Sequence, residues 1–231
     1  QARLRQLALD ASALARADEL RTAMLRAVSH DLRSPLAGIK ATVSTLRQAD
    51  VEWSTEQEAE FLASIEDETD RLTSIVTNLL DLGRLESGML RPTLGAHSIE
   101  EVVPTALRSL GSDAARCVVE IDTGLPEVEA DAALLDRVIA NLLHNAMHWS
   151  PPGSTVTVKA HRRRDLVQIH VVDHGPGIPA AQRSVVVQPF HRLADTSAGG
   201  GLGLGLAIAD RLAAAMNGAL ELRDTPGGGL T

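Results

Sequence analysis

Two runs of apolar residues, repeating at intervals of three and four, constrain this chain more than anything else in it. Leu25, Val28, Leu32, Leu36, Ile39, Val43 and Leu46 form the first; Leu62, Ile65, Thr69, Leu72, Val76 and Leu79 form the second. That spacing places each run along one face of an α-helix. Each is long for a single globular helix and suits a bundle or coiled-coil element. Between them, Ala49-Asp50-Val51-Glu52-Trp53-Ser54 breaks the period. Ser54 with Gln57 three residues later has the pattern of a capping box opening the second helix. Two long helices with a short connection predict an antiparallel hairpin. A lone hairpin leaves apolar surface in water, so two copies are expected to pair into a four-helix bundle.

The second helix is predicted to end near Glu86-Ser87-Gly88, with Pro92 and Gly95 marking a linker. Beyond it the pattern alternates. Cys117–Asp122 reads as a strand, Asp131–Trp149 as a helix, and Ser154–His161 with Asp165–Asp173 as a hairpin across Arg162-Arg163-Arg164. A helix from about Leu206 to Met216 and a strand around Ala219–Arg223 follow. The fold class is therefore α plus α/β: a helical hairpin over residues 1–90, then an α/β domain over 91–231. The length of 231 residues accommodates both.

With no Tyr and only Phe61, Phe190, Trp53 and Trp149 as aromatics, the core must be built from aliphatic residues. A formal charge of −8 gives no broad attraction to nucleic acid or anionic lipid. The single Cys117 cannot form an internal disulfide. No apolar run is long enough to span a bilayer. The opening at Gln1, without methionine, and the close on Pro226-Gly227-Gly228-Gly229-Leu230-Thr231 suggest an excised piece of a longer protein, its last strand cut short.

Four constellations carry chemistry. In Ser29-His30-Asp31-Leu32-Arg33-Ser34-Pro35-Leu36, His30 stands two residues from both Val28 and Leu32, roughly 200° around the helix from either, so its ring should face solvent. An exposed imidazole beside Asp31 suits phosphoryl transfer: the carboxylate accepts a hydrogen bond from one ring nitrogen and sharpens the other as nucleophile. Pro35 should bend or loosen the helix one turn on. In the stretch Asn141 to Ser150, Asn141 and Asn145 share a helix face and offer hard oxygen ligands for Mg²⁺. His144 and His148 share another, but Asn145 occupies the place where a helical zinc protease needs Glu.

The third constellation is Asp173-His174-Gly175-Pro176-Gly177 at a strand end, where a carboxylate can accept from an exocyclic amine and glycines let backbone approach a ligand. The fourth is Gly199-Gly200-Gly201-Leu202-Gly203-Leu204-Gly205-Leu206 running into a helix, a loop whose N–H groups can cradle phosphates. A dinucleotide fingerprint needs a strand before the glycines, and here Phe190 to Ser197 reads as a loop. A Walker loop needs Lys-Ser/Thr after them, and none follows.

In this order the pieces resemble the boxes of two-component histidine kinases: the phospho-acceptor box at His30, the asparagine box at Asn141–Ser150, glycine boxes at Asp173–Gly177 and Gly201–Leu206, and a phenylalanine box at Pro189-Phe190-His191-Arg192. The resemblance covers about Asp18 to Thr231. Leu20 through Leu90 and Pro151-Pro152-Gly153 look most like the potassium- or turgor-sensing kinases of the Kdp system. It implies a dimerisation and phosphotransfer domain followed by an ATP-binding sandwich of the type shared with Hsp90 and gyrase. His30 would accept phosphate, with Asp31 as its acid/base neighbour. Asn145, helped by Asn141, would hold Mg²⁺; Asp173 would read adenine; Arg192 would approach the phosphates; Gly175, Gly177 and Phe190 would belong to the same nucleotide site; Gly201, Gly203 and Gly205 would hinge an ATP lid. A response regulator would take the phosphate, and membrane attachment would come only through parts of a full-length parent, this chain being its cytoplasmic piece.

The chain departs from that pattern in places. His148-Trp149 stands where the family commonly has Lys-Tyr, and a neutral imidazole lacks the fixed charge of lysine. Trp149 still offers a flat apolar wall for the base. Ser34 replaces the frequent Thr or Asn associated with positioning water for dephosphorylating the partner. Two alternatives follow: a degenerate nucleotide-binding dimeric scaffold, and an Hsp90-like ATPase without histidine phosphorylation.

Overall fold

The computed structural model describes residues 28–48, 50–191 and 202–231. They fall into two compact units, divided between Leu80 and Asp81.

The first unit is helical. Helix α1 covers residues 28–46 and passes through Pro35 without a break, the proline ring being fully buried. Helix α2 runs Thr55–Glu86 and crosses the division. Its start is the capping box the sequence predicts: the Ser54 N–H donates to Gln57 Oε1 (3.0 Å) and the Gln57 N–H to Ser54 Oγ (3.2 Å). Its end is a Schellman turn, with Met89 N–H donating to Arg84 O, Gly88 N–H to Leu85 O, and Gly88 at φ +64°. Gly38 faces Glu68 across the pair; a β-carbon there would lie 3.3 Å from Glu68 Oε1. Trp53 packs edge-on against Phe61 at the turn. The stripe residues Val28, Leu32, Ile39, Ile65, Leu72 and Leu79 are half-buried, whereas Leu36, Val43, Leu62 and Val76 are exposed. Thr69 is exposed too; its hydroxyl donates back to Ile65 O. Leu25 lies outside the described residues.

The second unit is α/β. In chain order it holds β1 (Gly95–His97), α3 (Ile99–Arg108), β2 (Cys117–Ile121), β3 (Val128–Ala130), α4 (Ala132–Trp149), β4 (Val156–Arg163), β5 (Leu166–Val172), a short α5 (Arg183–Val186) and α6 (Gly205–Ala215). Strands β1 and β3 pair antiparallel; β2 runs parallel to β4, which pairs antiparallel with β5. One face of the larger sheet, with Val156, Val158 and Ala160 at its centre, packs on Val103 and Ala106 of α3 and Ile139 and Leu143 of α4. Each Val, Ile or Leu side chain so taken from water contributes about 1.5–3 kcal/mol. Helix α6 packs on α4 and buries Ala207, Ile208, Ala209 and Leu212.

Helix α3 is an addition to the sequence reading. Pro104 lies inside it, which argues against a helix on sequence grounds, yet Ser98 caps it and Ile99, Val102, Val103 and Ala106 bury one face. The strand expected at Ala219–Arg223 does not form. Only Leu230 and Thr231 stand opposite its end, so pairing stops at the Asp224–Leu230 bridge and the Arg223–Thr231 bonds; a strand needs a ladder of successive partners.

Candidate nucleotide site and phospho-acceptor

His30 projects from α1 with its side chain 82% exposed, as the helical phase predicts. Its Nδ1 lies 3.0 Å from Oδ1 of Asp31, which is buried. The tautomer with its proton on Nδ1 donates to Asp31 and leaves the Nε2 lone pair facing outward. Ser34, one turn further on, is exposed on the same helix.

In the second unit, α4 supplies the asparagines. Asp131 caps it, accepting from the N–H groups of Ala133 and Leu134, and its other oxygen accepts from Thr93 N–H at 2.8 Å. The Thr93 bond is the main reason that the Asp131 carboxyl sits below the usual carboxylate range. Ten and fourteen residues on, Asn141 is buried and Asn145 half-buried. Neither side-chain amide is committed to a hydrogen bond among the described residues, and Asn141 Oδ1 lies 3.8 Å from where a β-carbon on Gly205 would sit. Two uncommitted amides one turn apart fit a hard cation such as Mg²⁺. His144 turns elsewhere: its Nε2 is 3.4 Å from Ser109 Oγ. His148 is exposed and meets Trp149 edge to face at 5.0 Å.

The Asp173 loop is held between the end of α4 and the Gly229–Leu230 segment. Asp173 is 4% exposed; its Oδ1 accepts from Gly175 N–H (2.8 Å) and Leu230 N–H (3.0 Å). A β-carbon on Gly175 would fall 2.7 Å from Trp149 O, so the end of α4 abuts this loop. Gly177 has φ +70° and faces Gly229 O. Phe190 (φ +65°) donates its N–H to O of Gly203 (φ +66°) at 3.2 Å, and Gly205 starts α6. Arg192 and Gly201 lie outside the described residues. The structure thus sets Gly175 and the Asp173 loop against Trp149 at the end of α4, and Gly205 beside Asn141 on the same helix. The sequence reading missed the Leu230 segment against Asp173; three consecutive glycines at 227–229 were the available signal.

A helical pair presenting an exposed histidine, joined to an α/β unit with a carboxylate-glycine loop beside paired asparagines, is the architecture of a protein kinase that acts on histidine. Residues 20–88 match the His Kinase A (phospho-acceptor) domain, and residues 130–231 match the histidine kinase-, DNA gyrase B- and HSP90-like ATPase family. A mycobacterial sensor histidine kinase, MprB, superimposes with a TM-score of 0.51 at 30% identity, over 60% of this chain and 93% of that one. The chain belongs to the sensor histidine kinases. Its sequence is 46% identical to the sensor protein KdpD of Mycobacterium tuberculosis (strain ATCC 25618 / H37Rv) over all of this chain, and 33% identical to KdpD of Escherichia coli (strain K12) over 92% of it. It spans about a quarter of those relatives' length, 27% and 24%. ShkA, solved full-length in complex with AMPPNP, aligns with a TM-score of 0.60 at 27% identity, over 89% of this chain and 43% of that one.

Proposed function

We propose that this chain autophosphorylates His30 from ATP-Mg²⁺ and passes the phosphoryl group to an aspartate of a response regulator, within a protein of Kdp-like potassium or turgor sensing. The observation that carries this reading is His30 itself, exposed and held through Nδ1 by a buried carboxylate. In the reaction the Nε2 lone pair attacks the γ-phosphorus, the bond from that phosphorus to the β,γ-bridging oxygen breaks, and ADP leaves. Asp31 stabilises the imidazolium that forms, through the Nδ1 hydrogen bond.

Asn145, helped by Asn141, would hold Mg²⁺, which when bound offsets negative charge on the phosphates. Asp173 reads adenine; Trp149 and His148 line the base and phosphate sides; Gly175 and Gly177 admit the nucleotide; Phe190 and Gly203, tied together, frame the segment that contains Arg192 and Gly201. The functional division is a phosphotransfer domain of residues 1–90 and an ATP domain of 91–231. The exposed Leu36, Val43, Leu62 and Val76 support a homodimer through the hairpin. Likeness to KdpD supports a membrane-anchored parent; among the described residues no helix is long and apolar enough to cross a membrane.

Incubation with γ-labelled ATP and Mg²⁺ tests the reading. Acid-labile, base-stable label on the protein, chased onto a response regulator, is the expected result. Free phosphate without protein label would mark a plain ATPase, and no label a nucleotide-binding scaffold.

A further inference from the structure

The segment after the last glycine turn is bonded directly to the Asp173 loop. Leu230 and Asp173 exchange two hydrogen bonds, Asp173 N–H to Leu230 O (2.9 Å) and Leu230 N–H to Asp173 Oδ1 (3.0 Å), and Gly175 N–H donates to that same oxygen at 2.8 Å. A β-carbon on Gly229 (φ +117°) would fall 2.0 Å from Asp173 O and 2.8 Å from His174 Cα, so no other residue fits there without displacing the loop. Gly227 and Gly228, at φ +94° and +108°, make the turn that delivers Gly229 and Leu230.

A carboxylate oxygen that accepts two N–H groups is committed, and the plane of the side chain is fixed with it. Asp173 Oδ2 takes no donor among the described residues. We propose that Leu230, through its backbone N–H, and Gly229, through its close approach, are positioning residues for purine selectivity: they dictate which oxygen of Asp173 meets the base. The proposal rests on Asp173 as the adenine reader. A single outward acceptor welcomes a 6-amino group and opposes a 6-oxo group, so the site prefers adenine to hypoxanthine.

The lock makes an unusual demand on Asp173→Asn. Because the Gly175 and Leu230 N–H groups need an acceptor, the amide oxygen must take the place of Oδ1, and the NH₂ must take that of Oδ2. The outward group changes from acceptor to donor, so the preference should invert. Calorimetric titration of ATP and ITP, each with Mg²⁺, decides the matter. The expected result is at least tenfold weaker ATP binding with several-fold tighter ITP binding. Loss of ATP affinity with no gain for ITP leaves Asp173 as the reader and overturns the lock. An unchanged ATP-to-ITP ratio removes the adenine assignment and the lock with it. Should Asp173→Asn fail to fold, replacing the Leu230 amide with an ester removes the N–H from which Asp173 Oδ1 accepts, and weakens besides only the Gly229 carbonyl that accepts from Thr225 N–H. That change should bring the ATP-to-ITP ratio toward one while ITP affinity holds; equal weakening of both nucleotides would show a merely structural contact and overturn the proposal.

Discussion

His30 has its side chain 82% exposed on a helical pair that also leaves Leu36 55% and Leu62 60% exposed. Asp173 is 4% exposed in a unit where Leu143, Val156, Val158 and Ile208 are wholly buried. The α/β unit completes a core by itself, and Asp173 is fixed there by backbone N–H groups. The described residues of the helical unit do not complete one, and under the proposed function its His30 would have to be reachable by two different reactants, ATP and an aspartate carboxylate. On that proposal, rigidity would serve recognition of the nucleotide, and exposure would serve transfer of the phosphoryl group.

Asn145→Ala should break the α/β side of this contrast most severely. It removes an uncommitted amide from α4 and should abolish the Mg²⁺-dependent part of nucleotide binding, with the fold intact. Calorimetry showing unchanged affinity for ATP-Mg²⁺ would remove Asn145 from the metal site.

Truncating the core separates the two units next. Leu143→Ala deletes a fully buried side chain, and denaturant unfolding of the α/β unit should show a loss of about 2–5 kcal/mol. Leu36→Glu, on an exposed face of α1, should instead turn dimer into monomer in sedimentation while leaving that unfolding transition where it was. Equal effects of the two changes on the α/β transition would collapse the comparison.

A smaller effect is expected at His148. A lysine there adds a permanent positive charge, and an exposed charge contact is worth about 0.2–1 kcal/mol, with more where it is partly desolvated. ATP affinity of His148→Lys should rise about two- to tenfold at pH 8 and low salt, 1.4 kcal/mol being tenfold, and the gain should shrink at high salt. Equal affinities would mean that residue 148 faces away from the phosphates.

The smallest effect concerns His170, which stacks on His161 across β4 and β5 at 4.7 Å. Burial first, then the charges of His161, Arg223 and Arg163, push its pKa down, against the opposing pull of Glu221. A lowered imidazole pKa means that the folded state binds fewer protons than the unfolded chain. Stability from this group is therefore present above the unfolded pKa, near 6.5, and lost as pH falls below it. His170→Gln should flatten the decline in melting temperature between about pH 6.5 and 5; an unchanged slope would exclude this group as its source.

What could be read from the sequence was whatever neighbours along the chain decide. The Ser54–Gln57 box, the Gly88 stop, the span of α4 and the outward phase of His30 are all local, and each is where the residues place it. Helix α3 was hidden because Pro104 speaks against a helix while the burial of Val103 and Ala106 speaks for one, and burial is a tertiary fact. The strand at Ala219–Arg223 was expected from its own residues, but a strand exists only through its partner. The bond from Leu230 to Asp173 joins residues 57 apart, and no local pattern announces it.

The central claim, that His30 is the acceptor and the α/β unit only delivers the phosphoryl group, is most directly tested by His30→Gln assayed beside the unaltered protein with γ-labelled ATP, while nucleotide affinity is measured on the same samples. The account predicts no acid-labile label on His30→Gln together with unchanged ATP-Mg²⁺ affinity and an unchanged dimer. Acid-labile label persisting on the substituted protein would contradict it.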